Sequence, residues 1–158
     1  MKSAIYSWAG WLAAALASLG VKKGDRVGIF MPNTPQFVIA YFAALKVGGV
    51  VVATNPLYTA REIEHQFSDA GAETVVLLSA FYSKLKEAQA NTQVKRVIIA
   101  DVPDYVPAPF NSMVKRKLHE DGLMVEVPEG NGVYAFRKLL DAHPEAPPQV
   151  AVSHEDTA

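Results

Sequence analysis

Apolar runs begin near residues 26, 50, 74 and 96, and a stretch with helical periodicity separates each from the next. Arg26–Met31, Val50–Ala53, Thr74–Leu78 and Arg96–Ala100 are short and largely apolar. Strands of that kind have to be covered on both faces, and interleaved helices supply the cover. The alternation leaves little freedom. It requires right-handed βαβ crossovers and a mostly parallel α/β sheet. The even spacing reflects repeated βα units, with no sequence repeat beneath it.

The segment from Gly48 to Glu62 carries the clearest local signals. Val50–Ala53 reads as a buried central strand. Asn55-Pro56 breaks it, because proline cannot continue a central ladder. Thr59 with Glu62 three residues later is a capping box, so a helix starts there. The loop between them lies where open α/β sheets bind ligands, past the carboxyl end of a strand and at a helix N-terminus. The plain alternative is a structural strand-to-helix turn.

Other elements follow the same logic. Thr34-Pro35 opens a helix, with a capping hydroxyl and then proline at the first helical position. Phe37, Val38, Ile39, Tyr41, Phe42 and Ala43 surround that helix, a pattern of burial on more than one side. If its neighbours are missing, an apolar patch and self-association are expected. The Thr59 helix turns Ile63, Phe67 and Ala70 inward and closes at Gly71. A short helix spans about 81–90, and the fourth strand ends at Asp101.

Beyond Asp101 the character changes, with four prolines between residues 103 and 128. Residues 1–102 read as the sheet core and 103–149 as a proline-rich excursion with short helices. Met113–His119 carries Lys115, Arg116 and Lys117. A basic amphipathic segment can lie on an anionic membrane, but three charges are few, and a solvated face is the preferred reading. A peripheral membrane contact stays open as the alternative. Tyr134–Leu140 is expected to be a helix that packs back through Phe136, Leu139 and Leu140. His143-Pro144 and Pro147-Pro148 then form an extended tail.

Composition excludes several classes. The 158 residues carry a net charge of −1, so no whole-chain field attracts nucleic acid. The absence of cysteine removes disulfides, thiolate nucleophiles and cysteine metal sites, and suits a reducing cytosol. The start resembles a signal peptide, with no charge between Lys2 and Lys22 and with Ala15-Leu16-Ala17 as a cleavage-like site. However, Trp8, Leu12, Ala15, Leu16 and Leu19 share one helical face, and Gly20 supplies a C-terminal stop, so a soluble helix is preferred. No G-x-G-x-x-G, Walker A, H-E-x-x-H or G-x-S-x-G motif is present. His65 reads as a surface residue and Asp101 as a cap, while His119, His143 and His154 do not cluster. No catalytic residue and no metal ligand is therefore expected.

Several segments together resemble a known family. They are Leu19-Gly20-Val21-Lys22-Lys23-Gly24-Asp25-Arg26-Val27, Met31-Pro32-Asn33-Thr34-Pro35-Gln36-Phe37, and Lys46-Val47-Gly48-Gly49-Val50-Val51-Val52 with Asn55-Pro56-Leu57-Tyr58-Thr59. Asp69-Ala70-Gly71-Ala72 and the tail Val152–Ala158 fit as well. In this order they are similar to the N-terminal region of AMP-forming acyl-CoA synthetases, most of all long-chain fatty acid–CoA ligases. The resemblance implies a Rossmann-like subdomain of an adenylate-forming enzyme, truncated at both ends, with 150–158 leading to a phosphate loop that these residues do not include. It implies a cytoplasmic parent that uses ATP, Mg2+, CoA and a fatty acid, forming acyl-AMP and pyrophosphate before CoA displaces AMP. It also implies that this chain alone is inactive and that the rest of the synthetase is its partner. In related synthetases the loop aligned with Asn55, Pro56, Tyr58 and Thr59 borders the CoA nucleotide, and Lys84 is the nearest counterpart of a basic residue that approaches its phosphates. The positions of the loop and Lys84 agree with that: both are read as following the carboxyl ends of adjacent strands, near helix N-termini that favour anions. Two readings compete with that one: a solvent lysine at position 84, and a stand-alone, non-catalytic CoA- or nucleotide-binding module.

Overall fold

The computed structural model describes residues 2–106, 109–144, 146, 148–153 and 155–157. Pro147, His154 and Ala158 of the tail lie outside the described residues. Five strands, β1 (Arg26–Phe30), β2 (Val50–Thr54), β3 (Thr74–Leu78), β4 (Arg96–Ala100) and β5 (Val133–Ala135), pair in parallel in the order β2-β1-β3-β4-β5. The helices are α1 (Lys2–Ser18), α2 (Pro35–Lys46), α3 (Ala60–Ala70), α4 (Tyr82–Gln89), α5 (Phe110–Glu120) and α6 (Phe136–Ala142).

The period-2 alternation of the strands separates two apolar layers. Val27, Ile29, Val76, Leu78, Ile98 and Ala100 face α1, α2 and α6. Phe30, Val75, Leu77, Val97 and Ile99 face α3 and α4 through Ile63, Phe67, Leu85 and Ala88. Phe67 fills the space where a side chain at residue 28 would stand. A Cβ on Gly28 would lie 2.7 Å from the Phe67 ring.

Local chemistry sets the helix ends. Thr34 Oγ1 accepts from the Phe37 N–H at 3.3 Å. At α3 the Thr59 N–H and hydroxyl both donate to Glu62 Oε2, at 2.7 and 2.8 Å. Gly71 then closes α3 in the left-handed conformation. Arg26 donates to the Ala70 and Gly71 carbonyls at 2.7 and 3.0 Å, satisfying acceptors that a helix end leaves open. On α1, Leu12, Ala15 and Leu16 are fully buried, and no helix among the described residues is long and apolar enough to cross a membrane.

Three expectations change. β2 is the edge strand of the described sheet, not its centre, and its first three valines are only half-buried. Its apolar run looks the same as that of a central strand because α2 and α3 flank it on opposite faces. The stretch from 103 to 149 does not stay off the sheet: Val133–Ala135 adds a fifth strand, and the helix expected at Tyr134 starts at Phe136. Gly132 makes that return with φ +86°, and a Cβ there would fall within 2.2 Å of the Lys95 carbonyl oxygen. The apolar patch expected on α2 is present, because the excursion leaves part of that helix uncovered. Phe136 and Met124 are buried, but Phe110, Met113 and Leu123 face solvent, and Val38 and Phe42 on α2 remain 38% and 49% exposed.

Two outcomes are expected. Gly132→Ala places a side chain against fixed backbone at positive φ and costs about 2–3 kcal/mol, read as a lower urea midpoint at unchanged m-value. The exposed α2 face, with Phe37 and Tyr41 stacked beside Phe42, binds a hydrophobic dye and drives association, checked by light scattering coupled to size exclusion. A monomer that binds no dye contradicts the second expectation.

Candidate functional site

Because every strand is parallel, the loops after β1 to β4 gather on one edge. The crevice where such sheets commonly hold ligands lies where the chain reverses its direction of travel, between β1 and β3. At that point Phe81, just after β3, stands against Phe30, with 5.1 Å between ring centroids. Polar groups collect on either side of it.

On one side lies the Asn55–Thr59 loop. Asn55 Oδ1 accepts from the Leu57 N–H at 3.0 Å, and the Asn55 carbonyl accepts from the Tyr58 N–H at 3.0 Å. The loop is thus braced by its own backbone. Leu57 projects into solvent, while Tyr58 packs on the layer formed by α3 and α4. Lys84, on α4, donates to the Tyr58 carbonyl at 3.3 Å. The structure therefore brings Lys84 onto the loop. It does so differently from the sequence expectation that they follow adjacent strands: β1 separates β2 from β3, and the contact arises because α3 and α4 lie on the same face. A shallow groove of about 520 Å³ runs along the loop's other flank, between Ala53–Leu57 and Met31, Pro32, Asn33 and Phe37.

The expectation that a helix N-terminus beside this loop favours an anion also changes. The Glu62 carboxylate already occupies the start of α3, and the Thr59 N–H and hydroxyl hold its pKa below the ordinary value. The loop presents shape and carbonyl groups, and Lys84 is the cation that touches it.

On the other side is a cluster that sequence reasoning did not assemble. Ser79 directly follows β3 and Asp101 directly follows β4. The register Leu78↔Ala100 places them side by side. Ser79 Oγ donates to Asp101 Oδ1 at 2.5 Å and accepts from the Val125 N–H at 3.0 Å. As expected, Asp101 caps a helical turn (Val102–Tyr105): it is the N-cap residue of a capping box in which the Asp104 carboxylate accepts from the Asp101 N–H at 2.8 Å. The fully buried Gln36 donates to the Asp101 carbonyl at 2.7 Å. Asp101 and Asp104 border a cleft of about 720 Å³ shared with Trp8, Asn111, Lys115 and Arg137. Burial raises the pKa of both carboxyls. For Asp101 the Ser79 hydroxyl partly offsets it, and Asp104 is pushed up to about 6. The available signal was a small polar residue directly after each of two strands, which becomes informative only once the two strands are known to be neighbours.

His65 is exposed on α3, as expected. His143 instead ties α6 to α1, with Nε2 3.0 Å from the Ser18 hydroxyl. Among the described residues no group of three or more His, Cys, Asp or Glu is placed to hold a metal ion.

A three-layer parallel α/β sheet with polar loops along its carboxyl edge defines the class. The family model described as "AMP-binding enzyme" matches residues 4–158, and the chain belongs to that family. It is 41% identical over 114 residues to a long-chain-fatty-acid--CoA ligase of Bacillus subtilis, covering 70% of this chain and 20% of the relative. It is 46% identical over 96 residues to the Yersinia pestis protein of the same name, covering 61% and 17%. The solved structure of a long-chain-fatty-acid-CoA ligase from Archaeoglobus fulgidus superposes with a TM-score of 0.71 at 26% identity, over 96% of this chain and 25% of that one. The chain thus spans a fifth or less of these two curated relatives.

The buried carboxyl makes a prediction. Folded Asp104 keeps its proton to about pH 6, whereas an ordinary aspartate releases it near 3.8. The folded state therefore binds more protons between those values, and its stability falls as pH rises through the window. Asp104→Asn keeps the acceptor and removes the titration. It is expected to flatten the decline and to gain on the order of 1–3 kcal/mol at neutral pH, measured by urea unfolding from pH 4 to 7.

Proposed function

We propose that these residues belong to an AMP-forming long-chain fatty acid–CoA ligase acting in the cytoplasm, and that they supply a wall of its CoA side rather than its reaction centre. Family membership and the two ligase relatives support the parent activity. The observation that carries the assignment of the wall is the contact between Lys84 Nζ and the Tyr58 carbonyl. It joins the loop of Asn55, Pro56, Tyr58 and Thr59 to a cation whose remaining N–H groups are available to a phosphate.

The fit to each cofactor differs. For CoA, Lys84 offers a point charge and the loop a braced polar surface. Glu62 disfavours phosphate directly at the start of α3, so the phosphates belong on the Lys84 side. For ATP and Mg2+ the described residues do not fit, since they contain neither a phosphate-cradling loop nor a cluster of acidic ligands. Adenylation requires a neutralised triphosphate and donors aimed at developing charge, and in this proposal both come from the rest of the synthetase. The exposed face of α2 is where that remainder would pack.

Two measurements test the proposal. The purified chain, given ATP, Mg2+, a fatty acid and CoA, is expected to form no more AMP or pyrophosphate than a heat-inactivated control, and turnover above that control overturns it. Calorimetric titration with CoA is expected to give a Kd of about 1 mM or weaker, since a single wall contributes no more than about −4 kcal/mol. Sub-millimolar binding that is lost in Lys84→Gln points instead to a self-sufficient CoA-binding module.

A further inference from the structure

Helix α5 buries none of its residues. It borders two adjoining clefts of about 720 and 710 Å³, and Asp101, Asp104, Lys115, Met124 and Arg137 line both. Asn111, Ser112 and Lys115 line the first cleft from α5, and Trp8 of α1 and Arg137 of α6 line it from the body. Packing into the core therefore does not hold this helix in place, and its two ends become the important contacts.

The chain reaches α5 through the turn Val102–Tyr105 and returns from it through Met124 and Val125. Both legs are fastened to one polar cluster. On the outward leg, the Asp104 carboxylate accepts from the Asp101 N–H at 2.8 Å, and the buried Gln36 amide donates to the Asp101 carbonyl at 2.7 Å. On the return leg, the Val125 N–H donates to Ser79 Oγ at 3.0 Å, and that hydroxyl donates onward to Asp101 Oδ1 at 2.5 Å.

The surroundings make this fastening sensitive to protons. Asp101 and Asp104 share the cleft with Lys115 from α5 and with Arg137 from α6. Arg137 is itself paired with Asp141 at 3.1 Å and lies 4.9 Å from the centre of the Trp8 ring. Burial outweighs the hydrogen bonds and the two cations, so both carboxyls hold their protons more tightly than an ordinary aspartate, Asp104 to about pH 6.

We propose that α5 is a flap over the two clefts, latched at both ends by the cluster of Ser79, Asp101 and Asp104, closed in acid and loosened toward neutral pH. Opening hydrates the carboxyls and returns them to ordinary titration. The closed form therefore binds more protons between pH 3.8 and about 6, and it loses stability as pH rises through that window. If Asp104 becomes fully hydrated, the opening equilibrium grows by about fiftyfold from pH 4 to pH 7. The inference rests on this cluster and does not depend on the ligase reading.

Native-state hydrogen exchange of the full chain, resolved to single amides and corrected for intrinsic rates, tests it. The Val125 and Asp101 amides hold the two legs, and they are expected to lose protection together, by up to about fiftyfold between pH 4 and pH 7. Low urea should leave their exchange nearly unchanged, because a local opening exposes little surface, whereas the β1 and β3 amides follow global unfolding. Asp104→Asn is expected to remove most of the pH dependence. Lys115→Gln takes away a cation that favours the ionised carboxylates, so opening should increase severalfold at pH 7 and little at pH 4. Protection that is unchanged with pH, that falls equally in Asp104→Asn, or that is lost only together with β1 and β3 as urea rises overturns the proposal. Loss at just one of the two amides also overturns it, because the legs are then fastened separately.

Discussion

Parallel pairing of β1 with β3 is the contact on which the remaining structure depends. It sets β1 between β2 and β3 and forces the chain to step one way from β1 to β2 and the other way from β2 to β3. Right-handed crossovers in opposite directions must use opposite faces of a sheet. This places α2 on one face and α3 on the other, and it puts α4 beside α3 because the step from β3 to β4 continues in the same direction. The pairing is close-packed at Gly28, where Phe67 of α3 occupies the space a side chain would need. One topological choice thus determines both apolar layers.

The same choice shapes the carboxyl edge. Phe81 stands against Phe30 at the usual crevice, and polar groups lie to either side of it in two regions with different physics. The Asn55–Thr59 loop with Lys84 is open, internally braced and cationic where Lys84 meets it. The Ser79, Asp101 and Asp104 cluster is partly buried at the edge of a cleft, and burial raises the pKa of both carboxyls. Ser79 also holds the chain near Val125, which carries the segment after α5 back toward the sheet.

Strand spacing, both helix caps and the turn at Gly71 were legible in the sequence because each depends on contacts within a few residues. The position of β2 was not. Its apolar run reports cover on two faces and carries no information about its edges. Val133–Ala135 escaped notice because three residues are too few to show a period, and its pairing depends on Gly132 approaching Lys95 from afar in sequence. The candidate loop was visible from its turn chemistry, and Lys84 only through resemblance. The Asp101 cluster needed strand order, which single-chain periodicity does not contain.

Native-state hydrogen exchange resolved to individual amides tests this architecture most directly. With β1 and β3 at the centre, their amides are expected to exchange slowest, with β4 close behind. Amides of β5 should be clearly more protected than those of α5, and β2 should show protection only at the positions that pair with β1. Uniformly slow exchange across β2, or a β5 that exchanges as fast as α5, would contradict the strand order and with it the placement of both candidate regions.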